Sequence, residues 1–253
     1  MDIIVCLKQT FDTEAKITVQ DGVIVEEDVT FIVNPYDEYA IEEAVKWRDE
    51  LGGTVTVVSI GKERAQEAVK TALAMGADDA IIVTSDTSLD SSACAKALYE
   101  VIKERSFDLI LAGNQSVDQG ASQVAVRLAE MLGIGHVSTV VQLEVSDDHV
   151  VAHRDADGTT EIVKGKLPLV ITAQQGLNEP RYPSLLGIRK AAKKPIEWLS
   201  FETLVPDIAN VSKAKEVEVF LPVAKESGKI LQGELADQVH ALIDHLHADK
   251  KVL

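Results

Sequence analysis

The stretch that decides the fold is "FDLILAGNQSVDQGASQVAVRLAEML", residues 107–132. Its run Leu109-Ile110-Leu111-Ala112 has no polar interruption, the pattern of a strand buried on both faces. At Gly113 the chain turns into a polar loop with small side chains, and a helical pattern begins near Ala121 or Ser122. Many nucleotide sites begin with this succession of strand, glycine-bordered loop and helix. The loop itself holds neither Lys nor Arg. No G-x-x-x-x-G-K-[ST] is present and no G-x-G-x-x-G follows a strand, so ATP hydrolysis is not indicated. "GIGHV" (133–137) offers only a G-x-G and reads as a turn.

Upstream, "DIIVCLK" (2–8), "TVTVVSI" (54–60) and "DAIIVT" (79–84) are further short apolar or β-branched runs. Helical patterns separate them, ending at the Gly52-Gly53 stop and spanning 62–75 and 91–104. Alternating strand and helix predicts an α/β domain with a doubly wound parallel sheet. "KITVQDGVIVEE" (16–27) reads as a β-hairpin about Asp21-Gly22, inserted after the first strand.

From about residue 138 the helices drop out. Strands separated by Asp-Asp and Asp-Gly turns predict an antiparallel meander over 138–173. Residues 174–215 carry most of the prolines and little periodicity, and are expected to run over a surface. At the end, Leu231, Leu235, Val239, Leu242, Ile243 and Leu246 share one helical face. That helix packs either on its own sheet or on a partner subunit. The expected division is a nucleotide-binding α/β domain over 1–205 and a C-terminal arm and helix over 206–253.

Composition narrows the function. Forty-one acidic against 25 basic residues give a formal charge of -16, which repels nucleic acid and anionic lipid. Two cysteines, Cys6 and Cys94, lie far apart in sequence and suggest neither a disulfide framework nor a metal site. With no apolar run of membrane-spanning length and no leader pattern, a cytoplasmic protein is expected.

In a doubly wound sheet, ligands bind beyond the carboxyl ends of the strands, where the strand order reverses. If the first strand and the 108–113 strand are neighbours, Leu7-Lys8 and Gly113-Asn114 border that crevice. Gly113 and Gly120 allow close backbone approach, while Asn114, Gln115, Ser116, Ser122 and Gln123 supply neutral hydrogen bonds. Such a loop can hold a phosphate through backbone amides and a helix N-terminus. An ordinary connection with a capping Ser remains the alternative. "FIVNPYDEYAIEEAV" (31–45) adds a second polar corner, where Pro35 holds Asn34 extended and Asp37 can cap the following helix.

Catalytic groupings are sparse. His240, His245 and His247 are spaced so that they do not share a helical face, and His153 and Arg154 have no nucleophile near them in sequence. No elbow motif supports a triad. A chain that binds a nucleotide without an acid, base or nucleophile reads as a carrier, not an enzyme.

"NPYDEYAIEEAV", "ALAMGADDA", "LILAGNQSVDQG" and "LNEPRYPSLLGIRKAAKKPIE" resemble the β subunit of electron-transfer flavoproteins. The meander is similar to that family's signature region at Arg154, Asp157, Gly158, Glu161, Val163, Pro168 and Val170 to Thr172, with a departure at Thr159. The resemblance implies an adenine nucleotide α-hydrolase-like fold. It also implies an αβ heterodimer with one FAD, held mainly by the α subunit. Electrons would pass from acyl-CoA and other flavin dehydrogenases toward the quinone pool through an electron-transfer flavoprotein-quinone oxidoreductase.

Carried over by position, the family's nucleotide site is Cys6, then Asn34, Pro35, Tyr36 and Asp37, then Ile60. Its loop comprises Gly113, Asn114, Gln115, Ser116, Val117 and Asp118, followed by Gln119, Gly120, Ala121, Ser122, Gln123 and Val124. There the resemblance implies a structural AMP. Tyr36 matches an aromatic that approaches the flavin, and Thr13 stands where some members have another aromatic. In bifurcating members a second FAD replaces AMP, with NADH as donor; "DQGASQVAV" (118–126) shares their Gln-Val but lacks their Gly-Pro. A stand-alone nucleotide-binding module of the universal-stress-protein type is the alternative from another class. "RYPSLLGIRKAAKK" (181–194) matches the family's recognition loop, within 178–195. Its leucine anchor is Leu185, set beside a basic island of Arg189, Lys190, Lys193 and Lys194.

Overall fold

The computed structural model describes residues 1–249 apart from 28, 147 and 226. Asp147 of the expected Asp-Asp turn and residues 250–253 of the expected arm lie outside the described residues. In chain order the first half contains β1 (Ile3–Leu7), β2 (Gln9–Phe11), β3 (Val19–Gln20), β4 (Val23–Ile24), β5 (Phe31–Val33), α1 (Pro35–Leu51), β6 (Val55–Gly61), α2 (Ala65–Met75), β7 (Asp79–Thr84) and α3 (Ser91–Ile102). Then follow β8 (Leu109–Gly113), α4 (Val124–Leu132), β9 (Gly135–Val145), β10 (His149–Asp155), β11 (Thr160–Lys166) and β12 (Leu169–Ala173). The last elements are α5 (Leu185–Ala191), β13 (Ile196–Ser200), α6 (Phe201–Leu204), α7 (Ile208–Val211) and α8 (Leu235–Asp244), which ends in a π-helical turn, His245–Asp249.

Nine strands form one sheet in the order β11-β10-β9-β12-β8-β1-β6-β7-β13. From β9 to β13 every neighbouring pair is parallel. Successive residues of the central strands feed opposite faces, as strand geometry requires. Ile3, Val5, Leu109 and Leu111 join the core beneath α1 and α2. Ile4, Ile110 and Ala112 join the other core, with residues of α3, α4 and Phe201. Burying each such aliphatic side chain contributes roughly 1.5–3 kcal/mol, which explains why these runs lack polar residues.

The chain leaves β1 toward β6 and β7 and then returns to place β8 on the opposite side of β1. The strand order therefore reverses between β1 and β8, the expected switch point. Local signals explain the helix boundaries. Pro35 occupies the first turn of α1, where its missing N–H costs nothing, and Gly52 ends the helix at φ 75. Asp90 caps α3, and Gly133 closes α4 in the left-handed region, donating its N–H to Ala129 and Glu130 carbonyls. The hairpin about Asp21-Gly22 forms as expected.

Four details depart from the sequence reading. "GIGHV" is not merely a turn, because β9 starts at Gly135. The meander is antiparallel only through β9, β10 and β11; β12 inserts between β9 and β8 and is parallel to both. Within the segment read as irregular, Ile196–Ser200 adds β13 to the sheet edge against β7, and Phe201 and Val205 are buried. Finally, α4 begins at Val124, two or three residues later than expected, because Ser122 adopts φ 52, outside helical geometry. Among the described residues, no helix is long and apolar enough to cross a membrane.

Candidate functional site

A cleft of about 130 Å³ opens at the carboxyl ends of β1 and β8. Asp37, in the first turn of α1, organises its base. Its Oδ2 accepts the Lys8 amide at 2.7 Å. Its Oδ1 accepts the Gly113 amide at 3.0 Å and Asn34 Nδ2 at 3.0 Å. One buried carboxylate thus joins the ends of both central strands. This corrects the reading of Asp37 as a helix cap: Asn34 occupies the cap position, and α1 has no side-chain cap hydrogen bond.

Asn34 extends the framework into the loop. Its Nδ2 also donates to the Gln115 carbonyl at 2.8 Å, and its Oδ1 accepts the Val117 amide at 3.1 Å. Gly113 is required by space: a Cβ there would lie 2.2 Å from Asp37 Oδ1 and 2.7 Å from Tyr36 Cβ. Thr172 on β12 donates to Asn114 Oδ1 at 3.1 Å, tying the loop to the next strand.

The loop's lack of Lys and Arg suggests a pocket that holds its ligand through neutral groups alone, and the structure corrects this. The loop has no cation of its own, but Lys8 extends from the end of β1 and supplies one. Its Nζ lies 2.8 Å from both Asp118 carboxylate oxygens, 3.2 Å from Gln119 Oε1 and 3.4 Å from Ser116 Oγ. Two other expectations change. Ser122 does not cap α4; it donates to Gln115 Oε1 at 3.4 Å. Gln123 takes the cap position without a capping bond, and its side chain accepts from Arg127 instead. The first amides of α4 therefore have neither an intrahelical acceptor nor a side-chain cap.

The structure brings most of the expected residues into the lining: Cys6, Asn34, Asp37, Ile60, Gly113 to Ser116, Gln119 and Ala121 to Val124. Pro35, Tyr36, Val117, Asp118 and Gly120 do not line it; Tyr36 Oη accepts Gln115 Nε2 at 3.3 Å, and Asp118 borders the adjacent side cavity. Sequence reading missed the opposite wall, Val58 and, from α3, Ser91, Cys94 and Leu98. A cap signal, Asp90 before Ser91-Ser92, was present there, but nothing local showed that α3 begins at the cleft.

Burial, and then the Asp37 charge, push the Cys6 thiol up to about 12; burial pushes Cys94 up to about 11. Neither thiol is a nucleophile at neutral pH. Burial also raises the Asp37 carboxyl to about 7, against three donated hydrogen bonds and the Lys8 charge. The cleft thus has an apolar wall, a ring of amide donors and one ammonium already paired with Asp118, a set of groups that fits a nucleotide.

A sequence profile for the electron transfer flavoprotein domain matches residues 21–204. Over 100% of both chains, the protein is 47% identical to electron transfer flavoprotein subunit beta of Bacillus subtilis (strain 168). The chain belongs to the electron transfer flavoprotein β-subunit family. A subunit beta of Syntrophomonas wolfei is 43% identical over 92% of this chain and 91% of its own. A relative named caffeyl-CoA reductase-Etf complex subunit CarD, from Acetobacterium woodii, is 34% identical over 94% of this chain and 95% of its own. An electron transfer flavoprotein β subunit is an electron carrier with an α-subunit partner and associated flavin.

In this β subunit the segment expected to recognise dehydrogenases is exposed. Leu185 is 83% exposed, with Leu186 and Ile188 also open to solvent. Arg189, Lys190 and Lys193 are exposed beside them. Lys194 does not join that island; its Nζ donates to the Leu73 and Ala77 carbonyls at 3.0 and 2.5 Å, at the C-terminal end of α2.

Proposed function

We propose that this β subunit holds one AMP as a fixed component and pairs with an α subunit carrying the FAD. Working in the cytoplasm, the pair accepts electrons from flavin dehydrogenases, among them acyl-CoA dehydrogenases, and passes them toward the quinone pool. The observation that carries the AMP reading is the cleft: Lys8 and the open amides of α4 suit a phosphate, and Cys6, Val58, Ile60 and Leu98 offer an apolar wall for a base. FAD, when bound, supplies the redox chemistry. This chain's residues contribute binding and orientation. Leu185 and the basic side chains after it suit docking on an acidic rim.

The side cavity next to the cleft and the relative named as part of a caffeyl-CoA reductase–Etf complex favour a second reading. In it a second FAD takes the place of AMP and NADH is the donor. Co-expression with the α subunit and chromatography of the nucleotides released on denaturation separate the two. One FAD with one AMP per heterodimer is expected. Two FAD would replace that reading with the bifurcating one, and no stable α-subunit complex would favour a stand-alone module.

A further inference from the structure

Asp90 divides its two oxygens between separate parts of the molecule. Oδ1 accepts the Ala93 amide at 2.8 Å and caps α3, whose Ser91, Cys94 and Leu98 line the cleft. Oδ2 accepts the amides of Lys213 and Ala214 at 2.6 and 2.8 Å, 123 and 124 residues further along the chain. Burial opposes ionisation of this carboxyl, but the Ala93, Lys213 and Ala214 amides hold it below the ordinary carboxylate range.

The segment held this way is the first part of the C-terminal arm. Glu216 and Val219 form part of the wall of the side cavity, which also reaches Lys8, Cys94 and Gln119 of the cleft. Between and beyond them the arm presents Val217, Phe220, Leu221, Val223 and Ile230, all exposed. An exposed apolar chain needs a fixed starting point if it is to meet a partner in one orientation, since ordering a free arm on binding costs affinity.

We infer that Asp90 is a positioning residue that fastens the root of the C-terminal arm to the wall of the cleft, coupling arm placement to retention of the ligand. The inference rests on the reading of the cleft as a nucleotide site and of the arm as the segment that meets the α subunit. Asp90→Asn separates the two roles. An Asn oxygen can still cap α3, whereas its amide group would face the Lys213 and Ala214 donors.

The Lys213–Ala214 peptide bond, whose N–H donates to Asp90, is itself a trypsin site and gives a direct readout on the full chain. D90N is expected to be cut there about tenfold faster than the wild type, reflecting loss of charge-assisted bonds. Its thermal midpoint should remain that of the wild type, while D90A, which also loses the cap, should melt lower. The D90N heterodimer should also lose AMP faster on repeated gel filtration. An unchanged cleavage rate would overturn the fastener, as would D90N melting as low as D90A. Equal AMP loss in both heterodimers would overturn the coupling to the ligand. A wild-type heterodimer without adenine nucleotide would defeat the nucleotide reading alone, with the cleavage rates still deciding whether Asp90 holds the arm.

Discussion

Asp37 has no solvent to stabilise its charge, and its oxygens are occupied by the Lys8 and Gly113 amides and Asn34. Burial pushes its carboxyl up to about 7 in the folded chain, from an ordinary 3.8. The folded state therefore binds more protons than the unfolded state between these values. Stability from this group is complete below the lower value and is lost as pH rises through the upper one, about 4 kcal/mol in full. Asp37→Asn cannot titrate and leaves one amide donor facing another. It should be less stable than wild type near pH 5, and the gap should narrow toward about pH 8. Urea unfolding of both proteins measures this; a gap independent of pH would contradict it. The sequence pointed to Asn34 and Asp37 as a polar corner but misassigned Asp37, because a cap and a clamp between strands require the same residue type. Lys8 was placed at the crevice border, yet its reach to Asp118 depends on a contact spanning 110 positions that no local pattern contains.

At the level of elements, the segment leading into α5 is held before its exposed leucines are used. Asn178 donates to the Tyr39 carbonyl and Glu43 of α1, and Arg181 pairs with Glu42 at 2.7 and 2.9 Å. At the far end Lys194 closes on α2. Gly187 lies so near α2 that a Cβ would be 2.4 Å from the Ala74 carbonyl oxygen. A rigid loop loses little entropy on docking, so its exposed anchor can act on a partner. Leu185→Ala should leave thermal stability within about 0.5 kcal/mol. It should lower kcat/KM with an acyl-CoA dehydrogenase by about tenfold, mainly through KM. Steady-state reduction assays check this, and undiminished transfer would remove the docking role. The leucine and the basic side chains were legible in sequence. Lys194 was grouped with them because its neighbours in sequence are charged and exposed, while the carbonyls it satisfies belong to another helix.

For the whole molecule, the exposed arm and the exposed row on α8 contrast with the α/β body, whose last buried anchors are Phe201 and Val205. A chain shortened to end at residue 212 should keep that body folded, with a cooperative melt. It should fail to form a stable heterodimer with the α subunit on size-exclusion chromatography; undiminished pairing would place the main contact elsewhere. The central sheet could be read because β1, β6, β7 and β8 are each short runs dominated by apolar and β-branched residues. β13 escaped because "IEWLS" is short and half-exposed, so only its pairing with β7 identifies it as a strand. β12 was assigned to a hairpin series because sequence adjacency suggests antiparallel pairing, whereas its actual place between β9 and β8 is set by distant partners. The ammonium facing residues 116–119 has a separate practical meaning. Since it is carried by the rigid sheet, a designer can rewrite those loop positions to alter ligand preference while leaving the site's positive charge where the backbone of β1 mounts it.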